Sequence, residues 1–242
     1  MQSFDVVIVG AGAAGRLWGW VAGGVGLKVL VLDHSEKVAE KIRISGGGRA
    51  NFTNMDVTAA NFLSDNPRFA KSALSRFTPA DFVALVKKHG IAFHEKHKGQ
   101  LFCDRSAEDL IAMLLAECAA GGVERWQPCG VKNVRFLASS PYGESASSYE
   151  IDSDRGTIHC GAVVIASGGT DFGYRVAKQF DLPLVTPRPA LVPLTFDEAA
   201  WAPFAQLSGL SLPVSIETGG KKDKTAFLED LLFTHRGLSG PG

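Results

Sequence analysis

The residues Phe4 to Val9 are almost wholly apolar, and so are Lys28 to Leu32 ("KVLVL"), with a stretch of helical character between them. Apolar runs without alternation predict strands covered on both faces, and two such strands joined by a helix predict a βαβ unit in a parallel sheet. After Asp33 the pattern is lost. Residues 40–60 ("EKIRISGGGRANFTNMDVTAA") show no period and read as a polar, glycine-rich loop. Helical segments then predominate from about Pro67 to Gly122. In "TPADFVALVKKHG", Thr78 stands as N-cap, proline occupies the first turn and Gly90 lies just past the end. "SAEDLIAMLLAECAAGG" repeats this logic, with Ser106 as cap and Gly121 as stop.

Short strands return in the second half. "GVKNVRF" and "SYEIDS", separated by the polar "LASSPYGESAS", predict a hairpin arm, and "IHCGAVVIASGG" predicts an apolar strand running into glycines. "TPRPALVPL" carries three prolines and reads as a stiff, extended crossing between domains. Beyond it, alternation in "LSLPVSIETGG" predicts a β-rich unit, "GGKKDK" an exposed hairpin tip, and "LFTHRGLSGPG" a turn-like ending that completes no element. The expected organisation is a dinucleotide-binding domain over residues 1–192 and the beginning of a β-rich domain over 193–242. There are no internal repeats.

Composition narrows the class without naming a function. The 242 residues are 45% hydrophobic and 21% charged, as in a soluble globular protein with a substantial core. Lysine plus arginine equals aspartate plus glutamate at 25 each, so no net field favours nucleic acid or an anionic membrane, and neither is expected as a partner. The N-terminus has no basic region or cleavage site of a signal peptide, and no apolar run approaches the roughly 20 residues of a membrane span. Cys103, Cys118, Cys129 and Cys160 stand far apart, which fits a reduced, cytoplasmic setting. His94-x-x-His97 lacks a third ligand group and reads as a solvated turn, so no metal is expected.

The chemistry gathers in "VVIVGAGAAGRLWGWVAGGVGLKVLVLD". Gly10-x-Gly12-x-x-Gly15 follows the first strand directly, and Asp33 closes the second. The first glycine permits a tight strand-to-helix turn, the second lets a pyrophosphate approach bare backbone, and the third lets the helix lie close on the sheet. Amides at the helix start hold the phosphates, and Asp33 can accept hydrogen bonds from a ribose diol. Gly19 continues the close packing, while Gly19, Gly23 and Gly24 each weaken the helix by roughly 1 kcal/mol relative to alanine. Trp18 and Trp20 read as packing residues. A nicotinamide enzyme would continue with regular βα units. Here Ser45-Gly46-Gly47-Gly48-Arg49 instead offers clustered amides and a cation, and Val163 to Gly169 supplies a second glycine-terminated strand end. Together these favour FAD over NAD.

"GAGAAG", "KIRISGGGRANFTN", "VVIASGG", "RPALVPL" and "LFTHRGLSGPG" resemble, in that order, the bacterial aminoacetone oxidase family of flavoproteins, which includes bile-acid dehydro-intermediate reductases. The resemblance implies a Rossmann-like α/β domain of the two-dinucleotide-fold type, with a β-rich domain inserted after "RPALVPL". It places FAD contacts on Gly10, Gly12, Ala13, Ala14, Gly15, Asp33, His34, Lys41, Gly47, Gly48, Arg49 and Asn51. Val131 matches the adenine-facing position, and Ala166, Ser167 and Gly168 the second loop. Arg188 and His235 are candidates for the substrate side, and no catalytic residue is assigned.

The activity implied is hydride exchange between a small-molecule substrate and the flavin N5, with NAD(P)H as a candidate electron donor. Two other readings stay open: an NAD(P)-dependent oxidoreductase on the same fold, and a non-catalytic nucleotide-binding remnant. Three departures from the family stand out. Ala50 replaces a common cysteine, only Thr170 separates "GG" from "DFGYR", and the family chain runs on to a returning strand and helix, so this chain reads as a truncated member.

Overall fold

The computed structural model describes residues 2–137, 148–189, 192–220 and 224–240. The chain forms two compact units, Met1–Pro183 and Leu184–Gly242. The first begins with β1 (Gln2–Val9), α1 (Ala13–Gly24) and β2 (Val29–Leu32), followed by α2 (Glu40–Ile44) and β3 (Asn51–Asn54). Next come α3 (Lys71–Arg76), α4 (Pro79–Lys88), β4 (Phe93–Glu95), β5 (Gln100–Cys103) and α5 (Ala107–Ala120). The unit closes with β6 (Glu124–Trp126), β7 (Val131–Leu137), β8 (Ser148–Ser153), β9 (Gly156–Ile165) and α6 (Asp171–Gln179).

Six of these strands form one mixed sheet in the order β6-β2-β1-β9-β8-β7. The four from β6 to β9 run parallel, with Val7 opposite both Leu30 and Val163. The last three form an antiparallel meander, with Val134 opposite Ile151 and Ile151 opposite Ile158. Val29 to Leu32 are all buried, as a parallel strand covered on both faces requires. One face of the sheet packs Phe4, Val7, Leu30, Leu32, Ile151 and Ile158 together with partly buried residues of α6. The other receives α1 on Ile8, Val29 and Val31. Along α1, Gly19 and Gly23 form a seam: a Cβ on Gly23 would lie 2.4 Å from the Gly121 carbonyl oxygen, so α5 reaches the helix backbone itself. Gly23, one of the glycines that weaken this helix, is what lets the end of α5 lie against it, whereas nothing lies within 4 Å of a Cβ on Gly24. Trp20 packs on the cluster around Leu85, Met113 and Leu114. Trp18 is 55% exposed, which corrects its reading as a packing residue, because it falls outside the arc of Gly15, Gly19 and Gly23.

Helix ends follow the sequence closely. Thr78 accepts from the Asp81 amide and Asp81 returns the bond, a capping box, while Ser106 accepts from the Glu108 amide. Between these helices, in a region expected to be predominantly helical, β4 and β5 join the earlier β3 in a small antiparallel sheet of order β3-β5-β4. The stretch 40–60, read as a loop, likewise contains α2, a 3-10 turn over Ser45–Gly48 and β3. These elements are three to five residues long, too short for a period, and β3 exists by pairing with β5 about fifty residues later.

α4 and α5 are joined by a buried acid. Glu117, 5% exposed, accepts from Lys88 Nζ at 2.7 Å and lies 2.6 Å from His89 Nε2. These hydrogen bonds hold its carboxyl below the usual glutamate range against the opposing effect of burial.

The second unit comprises β10 (Leu194–Thr195), α7 (Glu198–Ala205), β11 (Ser211–Thr218), β12 (Thr225–Thr234) and β13 (Gly237–Ser239), in an antiparallel sheet of order β10-β13-β12-β11. Trp201 of α7 stacks on Phe196 at 4.8 Å and donates its indole N–H to the Thr234 carbonyl at 2.9 Å. "LFTHRGLSG" finishes β12, turns and pairs back as β13, correcting the expectation that it completes no element. This ending looks loop-like in sequence because β13 has only three residues, Gly237–Ser239. The linker of the β7–β8 hairpin, Ala190 and Leu191 of the crossing, and 221–223 of the "GGKKDK" tip lie outside the described residues.

Candidate functional site

β1 has β2, the next strand in the chain, on one side and β9, a much later one, on the other, so the strand order reverses at β1. Such a switch point opens a crevice at the strand ends. Here it is a cleft of about 870 Å³ lined by residues from Val9 to Arg175, all within the first unit.

The three motif glycines answer to different demands. Gly10 has φ +112°, and a Cβ there would sit 2.4 Å from the Ala166 carbonyl oxygen, where the loops after β1 and β9 touch. A Cβ on Gly15 would lie 1.8 Å from the Gly10 carbonyl oxygen, so the first turn of α1 rests on the loop backbone. Gly12 is the contrast. Its φ is −74° and nothing lies within 4 Å of an added Cβ, so the protein's own packing gives no reason for glycine there. It faces the cleft with Ala13 and Ala14, and α1 has neither a side-chain cap nor an acidic residue in its first turn. The amides and the dipole at this end are left for an anion.

Asp33 and His34 also line the cleft. Asp33 Oδ2 accepts from the Ala11 amide at 2.7 Å and Oδ1 from the Ser35 amide at 2.8 Å, so this side chain braces the glycine loop as well as facing the cavity. Each oxygen keeps a second lone pair for a ligand hydroxyl. Val131, Ala166, Ser167 and Gly168 stand on the lining as expected from the sequence, as do Lys41 and Asn51. Lys41 reaches across the opening, its Nζ 3.2 Å from where a Gly168 Cβ would stand.

Other expected contacts fall elsewhere. Gly15 is buried beneath α1 as a packing residue and does not reach the lining. Gly46, Gly47 and Gly48 take successive left-handed conformations, which a chain of ordinary residues resists, and this turn points Gly47 and Arg49 to solvent rather than into the cleft. Ala50 continues it at φ +46°, buried on the cleft wall where the resembled family carries cysteine. Arg188 and His235 belong to the second unit, the first in an extended segment and the second in the β12–β13 turn, both exposed. Neither is among the lining residues.

Sequence reasoning missed the apolar wall formed by Phe52, Phe82, Leu110 and Leu114. Thr170, Phe172 and Arg175 were also missed, although the short connection at Thr170 had marked their neighbourhood. Two hydroxyls here are informative. Ser167 Oγ and Thr170 Oγ1 are buried with no hydrogen-bond partner in the protein, although Thr170 stands at the N-cap of α6. Buried polar atoms are otherwise almost always satisfied, so these two, with the open space at Gly12, fit a polar ligand in the cleft.

All four cysteines are buried and free; burial pushes the Cys103 thiol up to about 11 and the Cys160 thiol to about 12, away from thiolate reactivity. His94 Nδ1 pairs with Asp104 at 2.7 Å, and no group of metal-ligating side chains occurs among the described residues. No described helix is long and apolar enough to cross a membrane.

Known proteins place this arrangement. The chain is 43% identical over its whole length to the ribosomal RNA dihydrouridine synthase of Escherichia coli, covering 60% of that protein. It is 25% identical, over 96% of the chain and 57% of the relative, to the 3-dehydro-bile acid delta(4,6)-reductase of Clostridium scindens. The chain thus spans about 60% of the length of such relatives. Among solved structures, glycine oxidase from Geobacillus kaustophilus shares the fold with a TM-score of 0.52 at 20% identity, over 80% of this chain and 61% of that one. The Rossmann domain of HI0933-like proteins matches residues 4–234, and with its Rossmann-like α/β FAD-binding fold the chain belongs to that family.

Proposed function

We propose that the chain binds FAD in the cleft and belongs to a flavin-dependent reductase that saturates a carbon–carbon double bond conjugated to a carbonyl. The observation that carries FAD binding is the open backbone at Gly12, with a free helix N-terminus on one side and the unpaired Ser167 and Thr170 hydroxyls on the other. The amides of Gly12, Ala13 and Ala14 would hold the diphosphate, Asp33 the ribose, and Val131 the adenine. Lys41, Asn51, Ser167 and Thr170 would serve the remaining length, with Phe52 and Phe82 excluding water. Bound FAD supplies hydride exchange with a substrate carbon; the protein supplies placement and electrostatics.

The reductase reading draws on the names of two relatives of different substrate class. Dihydrouridine is uridine with two hydrogens added across a double bond conjugated to a carbonyl, and a delta(4,6)-reductase of a 3-dehydro substrate acts on the same functional group. The higher identity makes a uridine of ribosomal RNA the first substrate to test. The chain's zero net charge gives no long-range attraction to RNA, so recognition would rest on local contacts or on further parts of the protein.

The test is direct. Purified protein should be yellow and release FAD on denaturation, and with NADPH it should raise the dihydrouridine content of unmodified ribosomal RNA by mass spectrometry. Colourless protein that binds NADH and no FAD would overturn the flavin reading. Flavin-loaded protein that reduces a simple enone but leaves the RNA unchanged would overturn only the RNA substrate. Thr170→Val should weaken FAD binding by about 1 kcal/mol, the worth of one hydrogen bond, while apoprotein stability stays within about 0.5 kcal/mol. Flavin titration and thermal melting read the two effects separately.

A further inference from the structure

Arg16 follows the third motif glycine, where α1 faces the protein interior, and is the largest fully buried side chain among the described residues at 1% exposure. It does not line the cleft. Its Nε donates to the Ala11 carbonyl at 2.7 Å, and the Ala11 amide donates to Asp33 Oδ2 at 2.7 Å. Ala11, itself fully buried, is therefore held on one side by a cation and on the other by an anion. Arg16 Nη2 is buried without a partner. A buried guanidinium with an unmatched donor is costly, and an apolar residue would pack the same space at lower cost.

The peptide joining Ala11 to Gly12 is trans, so its carbonyl and its N–H point in opposite directions. With the Ala11 carbonyl drawn inward by Arg16, the Gly12 N–H is turned outward, and Gly12 lines the cleft. We infer that Arg16 is a positioning residue for the diphosphate of a bound dinucleotide: it fixes the Gly12 amide toward the cleft, and its incompletely matched buried charge favours an anion on the far side of that peptide. Burial weakens the hold of the Arg16 guanidinium on its proton, and Arg125 of β6 adds to this, with Cys118 and Asp33 opposing. This inference rests on the dinucleotide reading of the cleft.

Binding of FAD, ADP and adenosine separates this role from a merely structural one, because only the first two carry a diphosphate. With Arg16→Met, affinity for FAD and ADP should fall about tenfold while affinity for adenosine stays within about twofold. The salt dependence of ADP binding should also flatten. Arg16→Gln keeps an amide donor and removes the charge; it should give the same ADP-selective loss and serves if the methionine variant does not fold. Arg16→Lys keeps the charge and should recover part of the ADP affinity. Equal losses for ADP and adenosine, or no loss for either, would overturn the inference. Wild-type protein that binds neither FAD nor ADP would instead overturn the dinucleotide reading beneath it.

Discussion

Alanine at position 15 should destabilise the first unit by about 3 kcal/mol, whereas alanine at position 12 should leave stability within about 0.5 kcal/mol of wild type and weaken FAD binding by about 2 kcal/mol, roughly thirtyfold. Both positions belong to one motif, yet the added methyl meets different things. At Gly15 it would stand 1.8 Å from the Gly10 carbonyl oxygen, and Gly10 is itself hemmed in by the loop after β9, with the Ala166 carbonyl oxygen 2.4 Å from where its own Cβ would stand. The helix must lift off the loop, taking the α1–β2 and α1–α5 packing with it. This outweighs the roughly 1 kcal/mol that alanine contributes over glycine inside a helix. At Gly12 the methyl enters open space at an ordinary φ, and the conflict arises only when a ligand needs that space. Urea midpoints on both variants, with FAD titrations on whatever remains folded, check the pair. A Gly15→Ala protein as stable as wild type would show that α1 does not sit on the loop backbone.

Glu117→Gln should cost about 2 kcal/mol at neutral pH, since both hydrogen bonds to the buried carboxylate lose the charge on their acceptor. The carboxylate is buried while Lys88 is largely exposed, so the lysine retains hydration and the loss falls mainly on the link between α4 and α5. The pH dependence follows from the direction of the shift. Glu117 titrates lower in the folded protein than its ordinary value of 4.5, so its contribution is complete above that value and is lost as pH falls through the depressed folded value. Wild type should therefore lose more stability on acidification than Glu117→Gln, and the two denaturation curves should converge at low pH. Curves that stay parallel across the acid range would exclude Glu117 as the source.

How much of this was legible in the sequence depended on whether the signal was local. The strand–glycine–helix–strand–acid succession is set by neighbouring residues, because turn geometry, helix capping and burial on both faces each act within a few positions. Gly10, Gly12, Asp33 and the capped helices after Thr78 and Ser106 could all be read from it. The second strand end at Ala166 to Gly168 was legible for the same reason. The small sheet of β3, β5 and β4 was not, since strands of three or four residues carry no period and gain their hydrogen bonds from distant partners.

The cleft divides in the same way. Its glycine-loop end is written in a contiguous motif, but its apolar wall comes from Phe52, Phe82, Leu110 and Leu114, which meet only because β3, α4 and α5 pack together. Which glycines face open space and which serve packing was also beyond the sequence, as both leave the same letter; only the distance from each absent Cβ to its neighbours separates Gly12 from Gly15. Arg16 looked like an ordinary helix residue until the fold enclosed it. By itself the sequence determined that a nucleotide-binding βαβ unit would form, because that unit is specified by nearest neighbours along the chain. Tertiary structure alone decided which side chains line the cleft, because burial and close approach are properties of segments brought together from far apart.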